Sequence, residues 1–312
     1  MIRFILGLLI RAAVVLTGTA IITFALLWNA PGDPAQAIAM ARFDALLDPE
    51  VIESVRAEAG LDQSFWRAFI DWAQPLLVLD FGNSAVSGRP VWPDLRTAMS
   101  YTFPLAFMAL AIGLAISVPL AIIAARRPGS WIDRGAVAVA TLGNAIPSYW
   151  LGLILILIFA VQLAWLPAMG ARTPAHAVLP ALTLGLGVAA SLTRIIRSGI
   201  LEAKGQPFLP AFRRRGVARR DVARDHIAPH AAVPVITVFG LELAFLLEGL
   251  VLVEAIFGRP GLAIFLVSAI GARDFPHVQA VVVLTALIFV TVNLLIDVAY
   301  RLIDPRIGEA DA

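Results

Sequence analysis

The sequence predicts an all-α, polytopic membrane protein with about six transmembrane helices. Three observations carry that expectation: an apolar composition along the whole chain, apolar runs long enough to cross a bilayer, and an alternation of arginine-rich and arginine-poor loops. Of 312 residues, 60% are hydrophobic and 15% charged, where a soluble domain carries about 45–50% and about 25%. Mean hydropathy is +0.86. Lipid must be the solvent for much of such a chain.

A spanning helix needs about 20 mainly apolar residues. Such runs fall at roughly 9–30, 99–125, 135–163, 177–197, 231–257 and 279–303. The first, preceded by Arg3 and containing Arg11, resembles a signal peptide. It is long enough to span, however, and Ala30 is followed by Pro31, a poor cleavage position, so it reads as a membrane helix. The fourth is the weakest, being short and glycine-rich from Leu184 to Ala190. Glycine there is compatible with close packing of membrane helices.

Between the first two runs the composition changes. Asp33, Asp44, Asp48, Glu50, Glu53, Glu58, Asp62, Asp71, Asp80 and Asp94 stand against five arginines, which predicts a small amphipathic helical excursion outside the bilayer. Pro49 marks a helix start and Gly60 its stop, and Asp80-Phe81-Gly82-Asn83-Ser84 reads as a turn. The expected organisation is a membrane helix over 1–30, an extracytoplasmic excursion over 31–97, a five-helix core over 98–303 with a basic loop at 198–230, and a cytoplasmic tail over 304–312.

Arginine bias sets orientation. Arg126, Arg127 and Arg134 flank the second loop. Nine basic residues fall in the fourth, about 194–226, whereas the third has only Arg172 and the fifth only Arg259 and Arg273. The second and fourth loops, and both termini, are therefore expected in the cytoplasm, in a plasma (inner) membrane. The arginines cluster beside apolar spans, so the basic pI reads as membrane orientation and not as nucleic-acid binding.

Several chemistries are missing. Without cysteine there is no disulfide or thiolate site. No phosphate loop, zincin, nucleophile-elbow or kinase signature is present, so the chain is expected not to be an enzyme and any energy must come from a partner or an ion gradient. No metal site is expected: His226 and His230 are four apart, and the plainer reading is two polar residues at a wet helix end. Intramembrane acids are functional candidates by default. Glu242, Glu248 and Glu254 lie in the fifth run; Glu248 is nearest its centre, and Glu254 nears a span end where water reaches. Glu248, Glu254 and Asn144 are the translocation-path candidates, while Asn293 and Asp297, four apart in the sixth run, are expected to form a structural pair between helices.

The loop after the fourth run carries most of the functional signal. Pro210 suits the first turn of a short helix and Gly216 its end. Phe208, Leu209 and Phe212 fall on one side, and Arg213, Arg214 and Arg215 form a basic rim. A second short helix, Arg219 to His226, leads into the fifth run. An apolar anchor within a polar rim is the anatomy of a docking element; the plainer alternative is a basic loop obeying the orientation rule.

This loop resembles the coupling loop of binding-protein-dependent ABC importer permeases, specifically the longer-N-terminus branch of the peptide/nickel permease family. The carrying strings are Phe212-Arg-Arg-Arg-Gly216 and Asp225-His226-Ile-Ala-Pro229-His-Ala-Ala-Val-Pro234. The resemblance covers nearly the whole chain: Pro31-Gly32-Asp33-Pro34, Gly60-Leu61-Asp62-Gln63, Asp80 to Ser84, Gly88-Arg89-Pro90-Val91, Pro147-Ser148-Tyr149-Trp150, Leu166-Pro167-Ala168-Met169-Gly170, Val253-Glu254, Arg259-Pro260-Gly261, Arg273-Asp274-Phe275-Pro276 and Leu302-Ile303-Asp304-Pro305. Pro210-Ala211-Phe212 and Pro229-His230 depart from the family's usual residues. The resemblance implies a second homologous permease, two ABC ATPase subunits that hold the ATP and Mg, an extracytoplasmic substrate-binding protein, and no cofactor on this chain. It implies import of small peptides or nickel chelates; Leu166 to Gly170 and the Gly205-Gln206 step look slightly more like the nickel branch. The alternative from another class is a proton-coupled secondary carrier using Glu248 and Glu254.

Overall fold

Proline and serine caps decide where most helices begin. The structure, a computed structural model, describes residues 2–43, 48–58, 60–207 and 209–303. Helix α1 (Ile2–Trp28) is followed by two short helices with the same Asp-Pro start. In α2 (Pro34–Phe43) the Asp33 carboxylate accepts the Ala35 N–H at 3.0 Å, and in α3 (Pro49–Glu58) Asp48 accepts from Glu50 at 3.2 Å. Each proline sits where the helix has no use for its missing N–H. The expected start at Pro49 and stop at Gly60 are both present. Amphipathic α4 (Phe65–Leu76) completes the excursion, and α5 (Val91–Arg126) follows.

The third apolar run is not one straight span. It forms α6 (Trp131–Ala145) and α7 (Ser148–Leu155), which continues as a π-helix to Gln162, with a bend of 100° between the two arms. Proline removes a helical N–H and pushes the preceding residue into extended geometry, and Ile146, before Pro147, sits at φ −84°, ψ 122°. A 3-10 turn over Pro174–Ala177 leads into α8 (Val178–Lys204), then α9 (Leu209–Arg214), α10 (Arg219–Val222), a π turn and α11 (Ala228–Ile256). The glycine-rich fourth run thus makes a 27-residue helix. The expected fifth loop instead contains α12 (Leu262–Gly271), apolar but too short to span, before α13 (Phe275–Ile303). Among the described residues four helices are long and apolar enough to cross a membrane, five if the bent pair counts as one span; α11 adds a 29-residue helix.

The chain forms two compact units. Unit 1 comprises residues 1–101 and 260–291. Phe81, Val91, Leu95, Leu262, Val281 and Leu284 form one core there, and α2 packs on α3 through Ala35, Ile38 and Val55. Strings far apart in sequence meet at Asp274. Its carboxylate accepts from the Ser84 hydroxyl, from the Ala85 N–H at 3.1 Å and from His277 Nδ1 at 2.7 Å, while His277 Nε2 lies 3.4 Å from Asp94. Burial opposes the Asp274 charge, but the hydrogen bonds from His277, Ser84 and Ala85 outweigh it, so its pKa lies below the ordinary carboxylate value. A depressed folded-state pKa means that the stability is present above the unfolded value of about 3.9 and is lost as pH falls through the folded one. Asp274→Asn is expected to melt below the parent at pH 7, with a gap that narrows as pH is lowered past about 4; a gap independent of pH in detergent melts contradicts this.

Unit 2 comprises residues 102–259 and 292–312. Leu105, Leu179, Leu184, Leu192, Leu250 and Phe257 lead its core. Helices α5 and α8 approach closely at Gly185, where a Cβ would stand 2.9 Å from the Ala109 carbonyl oxygen. In the run that read as weak, Gly185 is therefore required by tight packing, whereas Gly187 borders open space.

Candidate functional site

Residues 209–216 form the short helix and stop that the punctuation predicts. Helix α9 begins one residue before Pro210, and Gly216 takes φ +72°, a conformation that favours glycine. Phe208 lies outside the described residues, as do the 304–312 tail and the side chains of Arg213 and Glu248. Leu209 is buried within this chain, and the Phe212 ring stacks on His226 at 4.1 Å between centroids. These two residues therefore brace the loop from inside. Pro210, Ala211, Arg214 and Arg215 form its exposed surface. The His226 ring is thus a packing partner of α9, and its neighbour His230 contacts the His226 carbonyl through Nδ1 at 2.9 Å.

The same end of unit 2 is tied together by contacts without local sequence signal. Lys204 Nζ donates to the Ala125 carbonyl at 2.6 Å, joining the ends of α8 and α5. Arg197 of α8 grips Asp133 with both Nε and Nη2, the second at 2.7 Å; Asp133 also accepts the Gly129 N–H at 2.8 Å. Asp133 is almost fully buried in this pair. Ser130 caps α6 by accepting the Asp133 N–H at 3.3 Å, a Ser-x-x-Asp start that the sequence does display. The end of α5 and the start of α6 are therefore tied to α8, whose last residue leads into the loop.

Further along unit 2, a cavity of about 350 Å³ opens at the α6–α7 bend. Asn144 and Ser148 line it from the bend, Ser191 from α8, and Glu242 and Gly249 from α11. The Ser191 hydroxyl donates to the Glu242 carboxylate, which is 7% exposed. Of the expected path residues, the structure brings only Asn144 to this cavity among the described ones. Glu254, expected at a wet span end, is instead fully buried and accepts from Thr102 at 2.6 Å, linking α11 to α5. Asn293 and Asp297 are both partly buried on α13. No group of three metal-ligating side chains is assembled among the described residues.

The chain is similar to known proteins along most of its length. The model of the binding-protein-dependent transport system inner membrane component matches residues 117–309, and that of the corresponding N-terminal region matches 1–106. The glutathione transport system permease proteins GsiC of Escherichia coli strain K12 and of Shigella dysenteriae serotype 1 strain Sd197 are 36% identical over 288 residues, covering 92% of this chain and 93% of theirs. Among solved structures, an inward-facing MetNI methionine ABC transporter superposes with a TM-score of 0.56 at 19% identity, over 67% of this chain and 96% of that one. An amino acid ABC transporter crystallised with histidines gives 0.52 at 19%, over 67% and 94%. These two likenesses are of fold.

Proposed function

This chain belongs to the binding-protein-dependent transport system inner membrane components and is a permease subunit of an ABC importer; from that premise we propose that it imports a small peptide of the glutathione type. Such permeases work in the inner membrane with ATPase and substrate-binding partners. The proposed assembly pairs this chain with a second permease and seats one of two ATPases on the 209–216 loop, with both termini in the cytoplasm. The exposed Arg214 and Arg215 would meet acidic ATPase surface, and the 126–133 turn, locked to α8 by Arg197, would carry the push into the spans. The proton-coupled carrier is not favoured, since the matched families and relatives are all subunits of binding-protein-dependent or ABC systems.

The observation supporting a peptide cargo is the cavity at the α6–α7 bend. Its Glu242 carboxylate suits the ammonium group of a peptide, Asn144 and Ser148 offer neutral polar contacts, and Arg194, one turn beyond Ser191, adds a positive field on Glu242. Mixed charge fits a zwitterion better than a bare metal cation. The relatives' name points the same way, and away from the slight nickel lean of Leu166 to Gly170. In proteoliposomes holding the complete transporter, Glu242→Ala is expected to slow glutathione or dipeptide uptake about tenfold, as loss of one charged contact of about 1.4 kcal/mol implies, while binding-protein-stimulated ATP hydrolysis persists. Uptake at the parental rate removes Glu242 from the path; competition by nickel chelates but not by peptides overturns the cargo.

A further inference from the structure

Helix α4 carries two apolar stripes, and among the described residues only one has a protein partner. At 100° per residue, Phe65, Phe69, Trp72 and Leu76 share a face. Phe24, near the end of α1, sits among the first three of these rings, at centroid distances of 5.4, 5.5 and 5.4 Å, and Trp28 meets Phe65 at 5.9 Å. One residue further round, Trp66, Ile70, Ala73 and Leu77 form a second stripe. Trp66 is 63% exposed and Leu77 86%, and Val78 after it is 79% exposed. Arg67, Asp71 and Gln74 make the third, polar face.

The position of α4 selects what covers the open stripe. It is fastened to the last turns of a spanning helix, and α1 itself leaves Ile22 and Leu26 exposed. At 12 residues α4 is about 18 Å long, too short to cross a core of about 30 Å. Its tryptophans stand where α1 meets water, the level at which aromatic rings collect on membrane proteins. An apolar arc of about 220°, set against a narrow polar face of Gln74, Arg67 and Asp71 and placed at a bilayer exit, matches a helix lying in the interface plane.

We propose that α4 is an interfacial membrane anchor: Trp66, Ile70 and Leu77, with Val78 and Leu79, lie in the headgroup–acyl boundary beside the end of α1, while Arg67, Asp71 and Gln74 face water. The anchor fixes the height of the acidic excursion above the bilayer. This goes beyond the transport reading and does not depend on the cargo.

The chain has no cysteine, so single spin labels can be placed directly. Trp66→Cys, Ile70→Cys, Leu77→Cys and Gln74→Cys would be labelled in the assembled transporter, with partner subunits freed of cysteine, in nanodiscs of phosphatidylethanolamine and phosphatidylglycerol. Labels at 66, 70 and 77 are expected about 5–10 Å below the phosphates, accessible to oxygen and shielded from a water-soluble nickel reagent, with the label at 74 reversed. Equal nickel access at 70, 77 and 74 overturns the proposal. Shielding of 70 and 77 from both reagents also overturns it and assigns the stripe to a partner protein. Brominated lipid provides a second readout without labels: it is expected to quench the parent more than Trp66→Phe, and equal quenching contradicts the proposal.

Discussion

Phe212→Asp is expected to abolish coupled transport while leaving the chain inserted in the membrane. The Phe212 ring stacks on His226 and Leu209 is buried beside the same turn, so a charge at 212 unseats α9 from the helix that leads into α11. Losing that internal stack and putting a charge in its place costs about 2 kcal/mol or more, which, passed in full to the exposed Pro210, Ala211, Arg214 and Arg215 surface, weakens ATPase association about thirtyfold. Gly216→Pro reaches the same end by another route. Proline holds φ near −65°, whereas Gly216 sits at +72°, so the chain cannot leave α9 in its present direction. Both variants are expected to fail in pull-down of the ATPase and in uptake. If each, made separately, keeps normal assembly and transport, the loop does not transmit the push.

Asp133→Ala is the second large effect, and here stability falls first. The carboxylate is buried, pairs with the partly exposed Arg197 guanidinium and also satisfies the Gly129 N–H. Removing one partner of a fully buried pair costs about 3–5 kcal/mol; the Arg197 side chain keeps 24% exposure, so water offsets part of this and about 2–3 kcal/mol is expected. The expected result is a lower thermal midpoint in detergent and loss of uptake together. Arg197→Ala on top of Asp133→Ala should cost much less than the two single changes added, the mark of direct coupling. Strict additivity in that cycle contradicts the linkage of the α5–α6 turn to α8.

How much of this was legible in the sequence depends on the range of the interaction. The long spans, the helix starting at Pro49, the stop at Gly60 and the Pro210–Gly216 element are local: capping, proline chemistry and hydrophobic length decide them within a few residues. The bend at Ile146-Pro147 also has a local cause, but an uninterrupted apolar run masked it, since hydropathy counts residues and is blind to their direction. The α12 segment reads as loop because its ten residues fall short of a span, and its core with Phe81, Leu95 and Val281 leaves no mark in its own pattern. Asp133 with Arg197, Ser191 with Glu242, and Ser84 with Asp274 join residues 64, 51 and 190 positions apart. Nothing in either segment alone points to the other. Glu242 was visible as an intramembrane acid, and only the fold distinguishes it, facing a cavity, from Glu254, sealed against Thr102.

In the proposed mechanism this chain is moved by ATP hydrolysed elsewhere, through the 209–216 loop. Its most direct test is affinity purification of the tagged parent chain with the proteins encoded beside it, followed by ATPase assay of the complex in nanodiscs with and without the binding protein. The expected result is that a second permease and two ATPases co-purify and that loaded binding protein stimulates hydrolysis. A chain that purifies alone and transports on a proton gradient would contradict it.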